Sequence, residues 1–112
     1  MKGRDAEQAA LSYLRRQNLE LVAQNYRCRF GEIDLIMRDG NVLVFIEVRM
    51  RSHLAFGGAA ASITPAKQTK LLRAARHYLS EMNNEPLCRF DAVLLSDMEG
   101  QKIEWIRDAF GE

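Results

Sequence analysis

Four polar side chains on two neighbouring predicted strands have the chemistry to hold a divalent cation. Glu32 and Asp34 lie on the first strand, and Glu47 and Arg49 lie on the second. Because side chains alternate across a strand, each pair shares one face of its own strand. Mg²⁺ prefers oxygen ligands and takes one or two protein carboxylates, with water and substrate phosphate completing its shell. The residue types therefore suit a magnesium site, provided that the two pairs meet.

The turn between the two strands decides whether they meet. Asp39-Gly40 is a strong signal for a two-residue hairpin loop. With that loop, Asp34 lies opposite Phe45 and Glu32 lies opposite Glu47, and residues directly opposite each other point to the same face. The pattern predicts that all four polar side chains converge on one patch, whereas a loop of three residues would separate Asp34 from Glu47.

Such a patch is costly without a purpose. In the predicted hairpin Asp34 and Glu47 are diagonal neighbours of like charge, close enough to share one cation. Glu47 also follows five apolar residues of a strand that resembles a central strand, where an unpaired carboxylate is expensive. A cation would offset that cost and would lower the pKa of a bound water. The alternative is that these acids lie at a solvated end of the sheet and pair with Arg49 and Arg51.

Hydrophobic periodicity and turn residues predict an α/β chain around this patch. The predicted order is α-β-β-β-α-β-β, with helices over 3–17 and 65–82 and strands over 19–30, 31–37, 42–50, 89–96 and 102–106. Asn18 is the predicted stop of the first helix, and Thr64-Pro65 supplies the N-cap and first residue of the second. Residues 52–63 have no period and contain Gly57-Gly58, so we expect a functional loop, a disordered connector or a dimer arm.

The charge distribution favours a polyanionic partner. Residues 1–80 carry 13 Lys or Arg against 7 Asp or Glu, whereas residues 81–112 carry 3 against 8. On the second helix, the cations form a stripe of Lys67, Lys70, Arg73, Arg76 and His77. A basic front and an acidic tail are typical of a protein that faces nucleic acid. The alternative is a random spread of charge over a neutral surface.

Composition and length bound the remaining possibilities. With 112 residues, 47% hydrophobic and 28% charged, the chain has the size of one globular domain, expected over residues 1–112. It lacks an apolar run that could cross a bilayer and a leader-like N-terminus, so we expect a cytoplasmic protein without a membrane partner. Two cysteines without close spacing predict reduced thiols, and two histidines without ligand spacing argue against zinc.

Several short motifs carry a resemblance to a known family. They are Gly3-Arg4 with Glu7, Asn25-Tyr26-Arg27, the run 31–36, the run 44–51, Phe56-Gly57, Thr64-Pro65-Ala66-Lys67 and Arg89-Phe90-Asp91. With these motifs the chain resembles the YraN-type family of uncharacterised bacterial proteins over nearly its whole length. That family is similar in turn to the restriction-endonuclease-like superfamily of PD-(D/E)XK nucleases, and particularly to Holliday-junction resolvases.

The resemblance implies a restriction-endonuclease-like fold, a mixed sheet of about five strands flanked by helices, with Mg²⁺ or Mn²⁺ at its site. By position, Asp34 and Glu47 match the metal-binding acids of the motif, and Glu7 resembles the first-helix acid of the resolvases. Arg49 stands where the motif has lysine. Arginine stays charged and cannot act as a base, although it can clamp a phosphate.

Further residues complete the expected site. Glu32 is a supplementary metal-binding acid, and Lys67 is a candidate for the missing lysine or, alternatively, a plain surface cation. Contacts to the nucleic acid backbone are expected from Arg27, Arg51, Lys67, Lys70 and Arg73.

The functional hypothesis is Mg²⁺-dependent phosphodiester hydrolysis on nucleic acid, in particular branched or single-stranded DNA. One alternative is a non-catalytic nucleic-acid-binding module that keeps the nuclease fold, and another is a protein-interaction subunit. Analogy with the resolvases would favour a homodimer.

Overall fold

The computed structural model describes residues 3–50, 63–96 and 102–111. The helices in these ranges are α1 (Gly3–Arg16) and α2 (Pro65–Ser80), and the strands are β1 (Glu20–Cys28), β2 (Gly31–Asp39), β3 (Val42–Met50), β4 (Leu87–Leu95) and β5 (Ile103–Phe110). The predicted α/β class and element order are therefore confirmed. The expectations for Arg51 and for residues 52–62 lie outside the described residues.

The five strands form one mixed sheet in the order β1-β2-β3-β4-β5. All neighbouring pairs are antiparallel except β3 and β4, which run parallel. A parallel pair needs a crossover connection, and α2 lies within that connection. The prediction of a covered central strand is confirmed for β3, where Val44, Phe45 and Ile46 are all buried.

One helix covers each face of the sheet. On one face α1 packs through Ala10 and Leu14 against a core that includes Leu35, Val44 and Ile46. On the other face α2 packs through Leu71, Ala74 and Ala75 against a core that includes Ile36, Phe45 and Phe90. Neither helix of this described framework has the length and apolar character that a bilayer-crossing helix needs.

The end of α1 is set by the residue that the sequence predicts. Asn18 adopts a left-handed backbone with φ 72°, which asparagine tolerates better than most residues. The amide of Leu19 donates to the carbonyl of Leu14 at 3.1 Å, and the amide of Asn18 donates to that of Arg15 at 3.0 Å. These two bonds form a Schellman cap, which turns the chain directly into β1.

The hairpin between β2 and β3 differs from the prediction. Its last pair is Asp39 opposite Val42, so the loop is Gly40-Asn41 and not Asp39-Gly40. Gly40 has φ 61°, and a turn with glycine first in the loop needs that conformation only there. Asp39 remains in the strand, where its Oδ2 accepts a bond of 2.9 Å from Arg89 Nη2. The predicted pairing of Asp34 with Phe45 is therefore wrong, because Ile36 takes that place.

A buried polar network joins β4 to β5. The Asp91 side chain is fully buried, and its carboxylate accepts bonds from Arg89 Nε at 3.0 Å, Trp105 Nε1 at 2.9 Å and the Asp108 amide at 2.9 Å. The donors satisfy both carboxylate oxygens. A buried carboxylate of this kind is stable only with such partners, so the network fixes how β5 lies on β4.

Candidate active site

The predicted acids meet in one open cleft between the first turns of α1 and α2. The cleft has a volume of about 360 Å³, and the charged residues that line it are Glu7, Glu32, Asp34, Glu47, Arg49 and Lys67. The predicted convergence of the four strand residues is thus confirmed, although the pairing that led to it was shifted. Their chemical roles stay predictions.

Asp34 lies where β2 and β3 separate. The last pair on this side is Leu35 opposite Ile46, and continuing the register would place Asp34 directly opposite Glu47 rather than diagonal to it. Instead, the backbone amide of Val48 donates to Asp34 Oδ2 at 2.8 Å. The side chain takes the place of a backbone acceptor, which satisfies the amide and fixes the position of the carboxylate.

The backbone around Asp34 is irregular. Strict alternation would place Ile33 and Leu35 in the same core, but Ile33 packs with α2 and Leu35 packs with α1. On β1, Asn25 falls between the partners of Ile33 and Leu35 and has a left-handed φ of 50°. Such departures from ideal geometry at a sheet re-aim side chains, and here they coincide with the acid cluster.

Glu47 is the most perturbed acid of the cleft. Its side chain is 5% exposed, and Lys67 Nζ lies 3.4 Å from its Oε2. The pKa of Glu47 is raised to about 8, first by burial and then by the hydrogen bond and the negative charge of Asp34. The cations of Lys67 and Arg49 lower the pKa without cancelling these effects. Glu47 therefore holds a proton at neutral pH when no other cation is bound.

Two buried polar atoms of the cleft have no hydrogen-bond partner within the described part of the chain, namely Glu47 Oε2 and Arg49 Nε. One is an acceptor and the other is a donor. Most buried polar atoms in native proteins are satisfied, and an unsatisfied one calls for a specific explanation. A ligand that brings both positive charge and acceptor oxygens would satisfy the two atoms together.

The two remaining acids occupy the sides of the cleft. Burial raises the pKa of Glu7, as does the nearby Asp34 charge, while a hydrogen bond with Asn25 lowers it. Glu32 is half-exposed, and its Oε2 lies 3.2 Å from Arg27 Nε. Because Arg27 compensates the charge of Glu32, this acid is the weaker candidate for a cation ligand.

The residues expected to contact nucleic acid are only partly gathered. Lys67 lines the cleft. Lys70 packs against Gly31, so that a Cβ atom added to this glycine would lie 3.4 Å from the Cβ of Lys70. Arg73 is exposed further along α2, and Arg27 is 76% exposed beside Glu32. These side chains place positive charge along the β2 side of α2, next to the cleft.

Two groups that position the acids of this site were not predicted from the sequence. The Asn25 side chain supports Glu7, and the Val48 amide anchors Asp34. The signals for Asn25 were its place in the Asn25-Tyr26-Arg27 motif and a residue type that accepts left-handed geometry. The Val48 amide is available to Asp34 because the hydrogen bonds between β2 and β3 end before it. No residue type in the sequence indicates where that pairing ends.

The pKa of Glu47 predicts an unusual pH dependence of stability in cation-free buffer. Its ordinary pKa is 4.5, and its folded value is about 8, so between these values the folded protein binds the proton more tightly than the unfolded chain. The Glu47 contribution to stability is complete below pH 4.5 and is lost as the pH rises through 8. We expect Glu47→Gln to be more stable than wild type by roughly 3 kcal/mol at high pH.

The measurement is urea unfolding of both proteins in EDTA from acidic to alkaline pH. The two curves should coincide at the acidic end and should separate as the pH approaches that of the Glu47 transition. A constant difference between the proteins at every pH would show that Glu47 has an ordinary pKa.

The sequence of the chain matches a known protein family. The family described as "Uncharacterised protein family UPF0102" matches residues 6–95. A UPF0102 protein of Nitrosospira multiformis is 63% identical over 110 residues, which cover 98% of this chain and 92% of that protein. A UPF0102 protein of Psychromonas ingrahamii is 54% identical over 111 residues, covering 99% and 90%. The resemblance to YraN-type proteins is confirmed, and the wider similarity to PD-(D/E)XK nucleases stays a prediction.

Proposed function

We propose a metal-dependent nuclease function for this chain, which belongs to the uncharacterised protein family UPF0102. The reaction is hydrolysis of phosphodiester bonds in nucleic acid, with DNA as the proposed substrate. One observation carries the proposal: Asp34 and Glu47 share a cleft in which a buried Glu47 oxygen has no hydrogen bond from any described residue. Two carboxyl groups at such close range cost stability whenever both are charged, and proteins retain such costs mainly at functional sites.

The donor set fits Mg²⁺ or Mn²⁺. Within the described ranges, no group of three or more His, Cys, Asp or Glu side chains is arranged to hold a metal ion, so the protein would supply two carboxylates from Asp34 and Glu47. Mg²⁺ sites that act on phosphates commonly use only one or two carboxylates and leave the remaining positions to water and substrate. When bound, the ion supplies positive charge that eases deprotonation of a water and neutralises charge on the phosphate.

The cations of the cleft have separate proposed tasks. Arg49 lines the cleft, and its buried Nε has no partner among residues 3–50, 63–96 and 102–111, so its guanidinium is the proposed donor to a phosphate oxygen on which charge develops. Arg49 cannot accept a proton, because arginine stays charged in proteins. Lys67 is the lysine of the described cleft lining, and its ammonium is a further donor that would contact the phosphate or the attacking water.

A second candidate function is non-catalytic binding of nucleic acid. It is favoured by the predicted place of Arg49 at the motif lysine and by the position of Lys67, whose Nζ lies 3.4 Å from Glu47 Oε2 and so points away from a substrate phosphate. In that case, Arg49 and Lys67 contact phosphate, and the affinity falls with salt as counterions are released. Metal then adds nothing to binding, and no bond is cleaved.

Cleavage assays separate the two functions. Labelled single-stranded, duplex and four-way branched DNA are incubated with the protein in Mg²⁺, in Mn²⁺ and in EDTA. The nuclease proposal predicts cleavage of at least one form with either metal and none in EDTA. Cleavage that persists in EDTA contradicts it, and binding without cleavage in any condition supports the second function. Absence of both binding and cleavage contradicts both functions.

A further inference from the structure

A cluster of planar side chains lies at the turn between β1 and β2, further along α2 from the cleft. The guanidinium carbon of Arg29 lies 4.8 Å from the centroid of the Phe30 ring. On α2, the His77 ring lies 5.7 Å from the same ring at an angle of 60°. Arg29 is exposed, and Phe30 and His77 are partly exposed. We name these three residues the turn cluster.

A line of cations connects the cleft with the turn cluster along α2. Lys67 lines the cleft, Lys70 packs beside Gly31, and His77 touches the Phe30 ring. Arg73 lies between Lys70 and His77 on the exposed side of the helix. Ten residues of helix span about 15 Å, which corresponds to roughly four nucleotide steps of a stacked strand.

Acidic side chains compensate only part of the positive charge of this line. Glu81 Oε1 lies 3.6 Å from His77 Nε2 at the far end of α2. Glu32 is held by Arg27 at the rim of the cleft. No acidic residue lies between Lys67 and His77 in the sequence of α2, so the middle of the line keeps its positive charge.

We propose that an unpaired strand of the nucleic acid runs from the cleft along α2 and stacks a base on the turn cluster. This inference rests on the proposed function and specifies which form of nucleic acid the cleft accepts. A base can lie on an aromatic ring or on a guanidinium plane only when it is free of its own partner strand. An exposed guanidinium above a ring is held weakly, so a base can displace Arg29 from Phe30 or lie on its outer face.

A duplex does not fit the same contacts. Its bases are stacked inside the helix, so it can use only the phosphate contacts of Lys67, Lys70 and Arg73. Those contacts act on any sequence and on any strand form. The turn cluster therefore selects single-stranded segments, such as an overhang or an opened arm of a branched molecule.

The test is a binding titration in EDTA with a short fluorescent oligothymidylate and with a duplex of the same length. Phe30→Ala should weaken binding of the oligothymidylate about tenfold and should leave duplex binding nearly unchanged. Phe30→Trp keeps a stacking ring and should retain the affinity of wild type. Arg38→Ala is a control for position, because Arg38 is exposed at the opposite end of β2, and it should leave binding of both probes unchanged.

Equal loss of both probes in Phe30→Ala, no loss at all, or failure of Phe30→Trp to retain the affinity would overturn the stacking site. So would binding of polyglutamate as tight as that of the oligothymidylate, since it would show a general anion surface. If metal-dependent cleavage persists in Phe30→Ala while single-strand affinity is unchanged, the stacking site fails and the nuclease function stands. If wild type binds neither DNA probe, the stacking site fails, and the cleavage assay with metal decides the nuclease function separately.

Discussion

Replacing Asp34 with asparagine is expected to reduce metal-dependent cleavage by about a hundredfold or more. The substitution keeps the shape of the side chain. It also keeps an oxygen that can accept the hydrogen bond from the Val48 amide, which is 2.8 Å long in wild type. It removes the negative charge, and with it one of the two carboxylates available to a cation. Gel-based cleavage assays in Mg²⁺ would measure the loss.

The same variant should become more stable rather than less. Above the Glu47 transition near pH 8, both carboxylates of wild type are charged, and Asp34→Asn removes their repulsion. A gain of about 1 kcal/mol in urea unfolding is expected there. Loss of activity combined with a gain of stability is the signature of residues retained for function.

Asp108→Asn serves as the matched control for Asp34→Asn. Asp108 is exposed on β5 and has a left-handed φ of 52° that asparagine also accepts. Its side chain does not line the cleft, so cleavage should match that of wild type. Full activity in Asp34→Asn, or equal loss in both variants, contradicts the assigned role of Asp34.

The largest loss of stability is expected from Asp91→Ala. The substitution leaves Arg89, Trp105 Nε1 and the Asp108 amide without their shared acceptor. Breaking a buried charge pair by removing one partner typically costs about 3–5 kcal/mol. Trp105→Phe removes a single donor and should cost about 1 kcal/mol. Urea unfolding of both variants tests this, and an Asp91→Ala protein nearly as stable as wild type would contradict the network.

The convergence of the acids was predictable from the sequence although the loop position was not. The predicted loop Asp39-Gly40 and the observed loop Gly40-Asn41 differ by one residue. That shift moves each pairing by two residues and leaves the side chains of the paired part of the hairpin, Leu35–Asp39 with Val42–Ile46, on the same face. The prediction therefore depended on the parity of the loop, which both turns share, and not on which two residues form it.

Side-chain contacts between segments distant in the chain could not be predicted from periodicity. Periodicity predicted α2 and its basic stripe, but not that Lys67 reaches Glu47 or that His77 meets Phe30. These contacts depend on where the crossover places α2 on the sheet. The exchange of Ile33 into the α2 core was equally hidden, because alternation is the assumption that a strand pattern starts from.

The most direct test of the cation-binding acid pair is carbon-detected NMR of the side-chain carboxyl groups during a titration with Mg²⁺. We predict that the signals of Asp34 and Glu47 shift together and saturably, and that the apparent pKa of Glu47 falls from its value of about 8 as the cation displaces its proton. Asp108 should show no comparable shift. If Asp34 and Glu47 move no more than Asp108, the two acids do not form a cation site.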